Sequence, residues 1–217
     1  MMAPSPHPEK PLLRGVSHHV AFVVALVAGG VLVLGAKEAE TMVASLVYAL
    51  SLATLFGVSA LYHRKNWEPA ARMVMRRLDH SAIFLLIAGT YTPVCMLLLE
   101  PGVGTLLLGL VWAGAILGIA QSVFWVNAPK AVSATIYVAF GCLVIPFLPQ
   151  TAAALGGMRL ALIAGGGALY ALGAVVYALK RPDPWPAVFG YHEIFHALVI
   201  AASVAHFAAI ASVVLSS

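Results

Sequence analysis

Charged side chains are scarce in this chain. They make up only 9% of its 217 residues, whereas a soluble domain carries roughly 25%. Hydrophobic residues make up 62% of the chain, and the mean hydropathy is +0.97. This composition excludes a soluble globular domain and predicts an integral membrane protein with several spans. The net charge of +4 is small, and basic residues of a membrane protein report its orientation first, so nothing indicates nucleic-acid binding.

Cysteine is almost absent as well. Cys95 and Cys142 both lie inside apolar segments, where cysteine behaves as a small buried hydrophobe, and a disulfide scaffold is therefore excluded. The alternating pattern of strands is also missing, which leaves helices. Residues 1–15 lack an apolar core followed by a cleavage site, so we expect no signal peptide there. We predict a mobile tail over residues 1–15 and a transmembrane domain over residues 16–217.

Long hydrophobic runs dominate the remainder of the chain. Seven segments stand out, at 17–36, 41–63, 79–99, 103–126, 131–149, 158–179 and 191–215. Each is close to the ~20 residues that a spanning helix needs, and the breaks between them contain Gly, Pro or charged residues. The sequence therefore predicts an all-α integral membrane protein with seven transmembrane helices.

The orientation follows from the lysines and arginines, which concentrate in cytoplasmic loops. If the N-terminus lies inside, ten of the twelve basic residues fall on the inner side and two on the outer side. The two outer residues are Lys37 and Arg159. We therefore predict a cytoplasmic N-terminus, a C-terminus outside, and a basic loop at 64–77 that lies along the inner headgroups.

The last apolar segment begins with two histidines four residues apart, His192 and His196. Residues at this spacing share one face of a helix, and the pair suits a metal ion. The predicted topology brings His63, at the end of the second segment, and Asp79, at the start of the third, to the same depth. Ionisable groups inside a membrane are functional candidates by default.

These residues predict a catalytic zinc site. Three neutral imidazoles, from His63, His192 and His196, would bind Zn²⁺ and leave a fourth position for water. Asp79 could orient that water or take its proton. Ser59 lies one turn before His63 on the same helix face, so its hydroxyl could reach the site, or it could bond a carbonyl of its own helix.

Two other interpretations remain open. The paired histidines could instead bond lipid headgroups and loop carbonyls at a helix end. Glu193 completes the His-Glu-x-x-His pattern, in which a metalloprotease uses the glutamate as a general base. We favour a simpler role for Glu193, as an acidic residue that the dipole stabilises at a helix N-terminus.

The other histidines and the glycines inside the spans receive structural interpretations. We predict that His206 is a core residue bonded across helices, and that His18 and His19 are interfacial. Gly114 and Gly118 have the small-xxx-small spacing of closely packed membrane helices.

Several stretches carry a family resemblance. They are Ser59-Ala-Leu-Tyr-His63, Arg77-Leu-Asp-His-Ser-Ala-Ile-Phe-Leu-Leu-Ile-Ala-Gly-Thr-Tyr-Thr-Pro93, Gly167-Ala-Leu-Tyr-Ala-Leu-Gly-Ala-Val-Val-Tyr177, and Tyr191-His-Glu-Ile-Phe-His with His206-Phe. In these stretches the chain resembles the hemolysin III family, the bacterial branch of the progestin and adipoQ receptor (PAQR) proteins. The resemblance extends over residues 15 to 215.

The resemblance implies a seven-helix fold with a cytoplasmic N-terminus and zinc near the inner face. It implies that His63, His192 and His196 hold the zinc, with Asp79 and Ser59 beside the metal-bound water. The family is grouped with alkaline ceramidases among membrane hydrolases, which implies a lipid amide or ester as the substrate. A multi-pass protein of the bacterial inner membrane is the expected setting.

Two further functions compete with a zinc-dependent lipid hydrolase. The chain could be a sensor or regulator of the bilayer in which a membrane lipid is the ligand and zinc is structural. It could also be a pore-forming hemolysin, which we rank last because the segments lack continuous polar faces. The oligomeric state is not predicted.

Overall fold

The computed structural model describes residues 10–216, and nearly all of these are helical. The helices are α1 (Val16–Gly35), α2 (Ala39–Arg64), α3 (Pro69–Leu97), α4 (Pro101–Phe124), α5 (Lys130–Gly141), a 3₁₀ segment (Cys142–Phe147), α6 (Leu148–Leu179) and α7 (Tyr191–Val214). Within residues 10–216, β-structure is limited to one isolated antiparallel bridge between Trp185 and Phe189.

Six helical stretches of the described chain are long and apolar enough to cross a bilayer. Five of them are α1, α2, α3, α4 and α7. The sixth is the 50-residue stretch Lys130–Leu179, which combines α5, the 3₁₀ segment and α6. Because a lipid-exposed backbone must satisfy its own hydrogen bonds, apolar segments of this length form helices. The predicted all-α membrane class is confirmed.

The stretch Lys130–Leu179 folds back on itself. A straight helix of this length would span about 75 Å, yet the Lys130 ammonium lies 4.3 Å from the centre of the Tyr177 ring. Gly156 has non-helical backbone angles inside α6, with φ 72° and ψ 171°. Since this left-handed region favours glycine, Gly156 marks the reversal. The sequence predicted a break at 150–157, between the segments 131–149 and 158–179. Nearly all of these residues are helical, because α6 begins at Leu148.

Helix α3 begins earlier than its hydropathy indicates. We predicted a segment over 79–99 and a basic loop at 64–77, but the helix extends from Pro69 to Leu97. Pro69 occupies the first turn, where proline is tolerated, and arginine and methionine are good helix formers. Hydropathy therefore located the apolar part of this helix and missed its polar first turns.

Close contacts between helices occur at the predicted glycines of α4. A Cβ added to Gly118 would lie 2.3 Å from the Phe84 ring of α3, and one added to Gly114 would lie 2.5 Å from the Phe140 ring of α5. The packing interpretation of this pair is confirmed. Cys95 is buried as predicted, whereas Cys142 is exposed, and it begins the 3₁₀ segment, which has no buried residue.

Residues 10–15, which we call the strap, lie against the connection that leads from α6 into α7. The amides of Leu12 and Leu13 donate to the carbonyls of Ala187 and Val188, at 3.0 and 3.2 Å. We predicted a mobile tail over 1–15; residues 1–9 of that tail lie outside the described residues, and the strap makes these contacts. The strap leads into α1 through Gly15, which has a φ of 74°.

Candidate metal centre

Two helices bring the three predicted metal ligands together. His63 lies in the last turn of α2, and His192 and His196 lie in the first two turns of α7. One ligand nitrogen of each ring lies within 4.8 Å of the others. His192 and His196 are buried, at 8% and 1% exposure. We call these three residues the histidine cluster.

The spacing within the histidine cluster fits a metal ion. The Nε2 atoms of His63 and His192 are 3.1 Å apart, and two nitrogens bound tetrahedrally to one zinc would lie about 3.3 Å apart. The Nδ1 atom of His196 is buried and has no hydrogen-bond partner among the described residues. Buried polar atoms are nearly always paired, so the unpaired nitrogen makes the His196 ring a candidate ligand.

Asp79 and Ser59 lie beside the histidine cluster. A carboxylate oxygen of Asp79 is 3.9 Å from the Nε2 atom of His63, and the Ser59 side chain lies close to the Asp79 carboxyl. The hydroxyl therefore faces the site, and it does not cap a carbonyl of its own helix. Ser59 on α2 and Asp79 on α3 are thus brought next to the histidine cluster.

His18 belongs to this site, although the sequence predicted an interfacial residue. Its ring stacks on that of His196, with centroids 3.7 Å apart and planes 8° from parallel. Its Nδ1 atom is 2.9 Å from the Ser59 hydroxyl. His18 is only 3% exposed, whereas His19 is exposed. Adjacent residues on a helix point to different sides, so the sequence alone could not tell which of these two histidines is buried. That depends on which face of α1 packs against α2 and α7.

Glu193 has a structural role, as predicted. Its Oε2 atom accepts a 2.9 Å hydrogen bond from the Gly190 amide, which caps the N-terminus of α7. Its Oε1 atom pairs with the Arg14 guanidinium of the strap. Because both oxygens are engaged and the side chain is 2% exposed, the carboxylate is not free to act as a metalloprotease base.

His206 is bonded across helices, and this prediction is confirmed. Its Nε2 atom donates to the Ile163 carbonyl of α6 at 3.0 Å. A Cβ at Gly166 would lie 2.3 Å from the His206 ring, so the absence of a side chain there admits the imidazole. His206 is a packing residue and lies outside the histidine cluster.

Positively charged side chains surround the end of the molecule that contains the histidine cluster. Lys130 donates to the Tyr191 hydroxyl at 2.8 Å, and Lys10 of the strap donates to the carbonyls of His63 and Lys65. Partial burial, with the charges of Arg72 and Arg14 nearby, lowers the pKa of the Lys10 ammonium. Crowded positive charge of this kind suits a surface that meets anionic headgroups.

Fold and site together define a class of protein: a multi-pass helical membrane protein with three histidines placed to share a metal ion. Comparison with known families agrees, because residues 7–207 match the model of a family described as Haemolysin-III related. The chain belongs to this family.

Individual relatives show which branch of the family the chain resembles. It is 31% identical over 195 residues to Hemolysin-3 of Bacillus cereus, covering 88% of this chain and 86% of the relative. It is 29% identical over 199 residues to a Hemolysin-3 homolog of Bacillus subtilis, covering 90% of each. The adiponectin receptor protein of Drosophila melanogaster is 34% identical over 156 residues, which is 60% of this chain and 33% of that protein. The predicted resemblance to hemolysin III and PAQR proteins is confirmed.

Proposed function

We propose that this chain is a seven-span protein of the cell inner membrane and a zinc-dependent hydrolase of an amide or ester bond in a membrane lipid. The observation that carries the proposal is the convergence of three imidazoles with a carboxylate and a hydroxyl at one end of the helices. Packing alone does not require five polar side chains at one place in a chain that is only 9% charged.

Contacts at this end support seven spans. The Arg76 guanidinium near the start of α3 donates to the Asn127 side chain beyond α4 at 2.9 Å. Lys130, at the start of α5, contacts Tyr177 near the end of α6 and Tyr191 at the start of α7. Since both ends of the Lys130–Leu179 stretch lie here, it would cross the membrane twice.

The charge distribution supports a cytoplasmic location for this end. Lys10, Arg14, Arg76 and Lys130 all lie around it, and basic residues concentrate on the inner side of a membrane. The N-terminus would then be cytoplasmic, the C-terminus outside, and the proposed zinc site close to the inner face.

His63, His192 and His196 would hold the zinc. Zinc prefers imidazole nitrogens, and three protein ligands are the set found at catalytic centres. When bound, zinc supplies a Lewis acid that polarises a carbonyl and acidifies a water molecule.

Asp79 and Ser59 would handle the proton. The Asp79 carboxylate, 3.9 Å from His63, would hold the attacking water, take its proton, and return it to the departing amine or alcohol. The Ser59 hydroxyl, next to the same carboxyl, would fix its orientation. Burial of His192 and His196 excludes bulk water, while the side chains of His63 and Asp79 remain 11% and 15% exposed, so a lipid would approach from the side of α2 and α3.

The test combines metal content with hydrolysis. Detergent-purified wild type should contain about one zinc per chain, and His63→Ala and His196→Ala should lose it, while His19→Ala, at an exposed neighbour of the site, should keep it. A panel of lipid amides and esters would then be assayed for fatty-acid release. Full metal content with no release from any lipid, or release that survives complete zinc removal, would contradict the hydrolase.

The burial of the histidine cluster favours a second candidate, a regulator of the bilayer in which zinc ties α2 to α7. His196 is 1% exposed, as expected of a structural site. This candidate predicts that chelation lowers the thermal unfolding midpoint by several degrees, with no lipid turned over. An unchanged midpoint after zinc removal would argue against it.

A further inference from the structure

His18 contacts two members of the site through two different parts of its ring. One face stacks on His196, with planes 8° apart and centroids 3.7 Å apart. One edge, at Nδ1, lies 2.9 Å from the Ser59 hydroxyl. His18 comes from α1, while Ser59 is on α2 and His196 on α7, so one side chain connects three helices around the site.

The hydrogen bonds have a direction. When Asp79 is ionised it can only accept, so Ser59 donates its hydroxyl proton to the Asp79 carboxylate. The Ser59 oxygen then accepts from the Nδ1–H of His18, which fixes the tautomer of the neutral imidazole. His18 thus contacts Ser59, Ser59 lies next to Asp79, and Asp79 lies beside His63.

The Nε2 atom of His18 is buried, and the imidazole also approaches the His196 backbone. A phenylalanine would fill the same volume but could make no polar contact with Ser59. His18 also packs edge-on against Phe56, at 5.1 Å between ring centroids, so its ring is held from two sides.

We propose that His18 is a positioning residue of the metal centre, which orients the ring of His196 by stacking and the hydroxyl of Ser59 by a hydrogen bond. The inference rests on the proposed metal site and does not require that a lipid be hydrolysed. Partners of this kind fix the geometry of metal ligands, and their loss commonly costs about 10- to 100-fold in metal affinity or activity.

The two contacts can be separated by substitution. His18→Phe keeps a flat ring against His196 and removes the bond to Ser59. His18→Asn places an amide near the position of Nδ1 and removes the stacked ring. His18→Ala removes both contacts, and His19→Ala is the matched control at an exposed neighbour on the same helix.

The experiment measures Co²⁺ affinity and visible absorption of the full-length protein in detergent, with a competing chelator. We expect His18→Ala to lower Co²⁺ affinity about 10- to 100-fold and His18→Asn to lose affinity through the missing ring. We expect His18→Phe to stay close to wild type in affinity and to change the absorption spectrum, because Ser59 and Asp79 lose their orientation. His19→Ala should match wild type in both measurements.

A double-mutant cycle tests the hydrogen bond itself. If His18 acts through Ser59, the spectral change caused by His18→Phe should disappear in a Ser59→Ala background. Additive effects, or His18→Ala with wild-type affinity, would overturn the proposal. If His18→Ala does not fold, the His18→Phe cycle decides the question.

The outcomes separate this inference from the proposed hydrolase. If the wild type binds Co²⁺ but hydrolyses no lipid, the proposed hydrolase activity is contradicted. The role of His18 is then decided by the Co²⁺ affinities of its variants. Hydrolysis that is equal in His18 and His19 variants, with equal Co²⁺ affinity, would overturn only the inference. Wild type that binds no Co²⁺ would overturn both.

Discussion

Among the carboxylates that the structure describes beside the histidine cluster, Asp79 is the one that no arginine engages, whereas Glu193 pairs with Arg14. Replacing Asp79 with asparagine keeps the shape of the side chain and removes its ability to take a proton. We expect Asp79→Asn to retain about one zinc per chain and to lower lipid hydrolysis about 10²- to 10⁴-fold. Rates would be measured beside Leu78→Ala, a control at an exposed neighbour. Loss of zinc in Asp79→Asn would instead indicate that the carboxylate is a ligand.

The Arg14–Glu193 ion pair connects the strap to the first turn of α7, the helix that also carries His192 and His196. Removing Arg14 alone leaves a carboxylate that is 2% exposed without its cation. We expect Arg14→Ala to reduce the free energy of unfolding by about 3 kcal/mol, and Arg14→Ala combined with Glu193→Gln to recover part of that loss. Thermal unfolding in detergent measures both. A double variant less stable than Arg14→Ala would show that Glu193 contributes mainly through its cap on α7.

At the level of single residues, the sequence predicted the members of the histidine cluster better than the residues that pack around it. His192 and His196 could be recognised from helical spacing, and His63 and Asp79 from their predicted depth. The stacking of His18 on His196 depends on how α1 rotates against α7, which a single sequence does not specify. For the same reason, the partner of Glu193 was missed, since Arg14 and Glu193 are 179 residues apart.

Helix α4 offers a test of element packing. Gly118 faces Phe84, where an added Cβ would lie 2.3 Å from the ring, while Gly109 on the same helix has nothing within 4 Å of such an atom. Overpacking typically costs about 1–3 kcal/mol. We expect Gly118→Ala to lower the unfolding midpoint and Gly109→Ala to leave it unchanged or raise it slightly, because alanine favours helices. Equal effects at both positions would contradict the close approach of α3 and α4.

The helices themselves were largely predictable, and their irregular ends were not. Apolar segments at 17–36 and 41–63 correspond closely to α1 and α2, because hydrophobic length dictates a spanning helix. The start of α3 at Pro69 and the helical residues before Gly156 were missed, since helix propensity continues where hydropathy falls. Hydropathy locates the part of a helix within lipid, and capping and tertiary contacts set where the helix ends.

The whole molecule is tested through its topology. In a background without Cys95 and Cys142, single cysteines would be placed at Asn66, Glu100, Gly157 and Pro184 and labelled with a membrane-impermeant maleimide in intact cells. Seven spans with an inner N-terminus predict labelling at Glu100→Cys and Gly157→Cys and none at Asn66→Cys and Pro184→Cys until the cells are opened. Equal protection of Gly157→Cys and Pro184→Cys would show that the Lys130–Leu179 stretch does not cross twice.

By itself the sequence determined that this protein is a helical membrane protein. Because so few of its side chains are charged, most of the chain is more stable in lipid than in water. A backbone in lipid must satisfy its own hydrogen bonds, which it does by forming helices. The same scarcity marked His63, Asp79, His192 and His196, because a polar group inside a span requires a reason. Only the tertiary structure decided which other groups join them. His18, the strap and the reversal at Gly156 depend on contacts between distant segments, and such contacts are set by the packing of whole helix faces rather than by any local pattern.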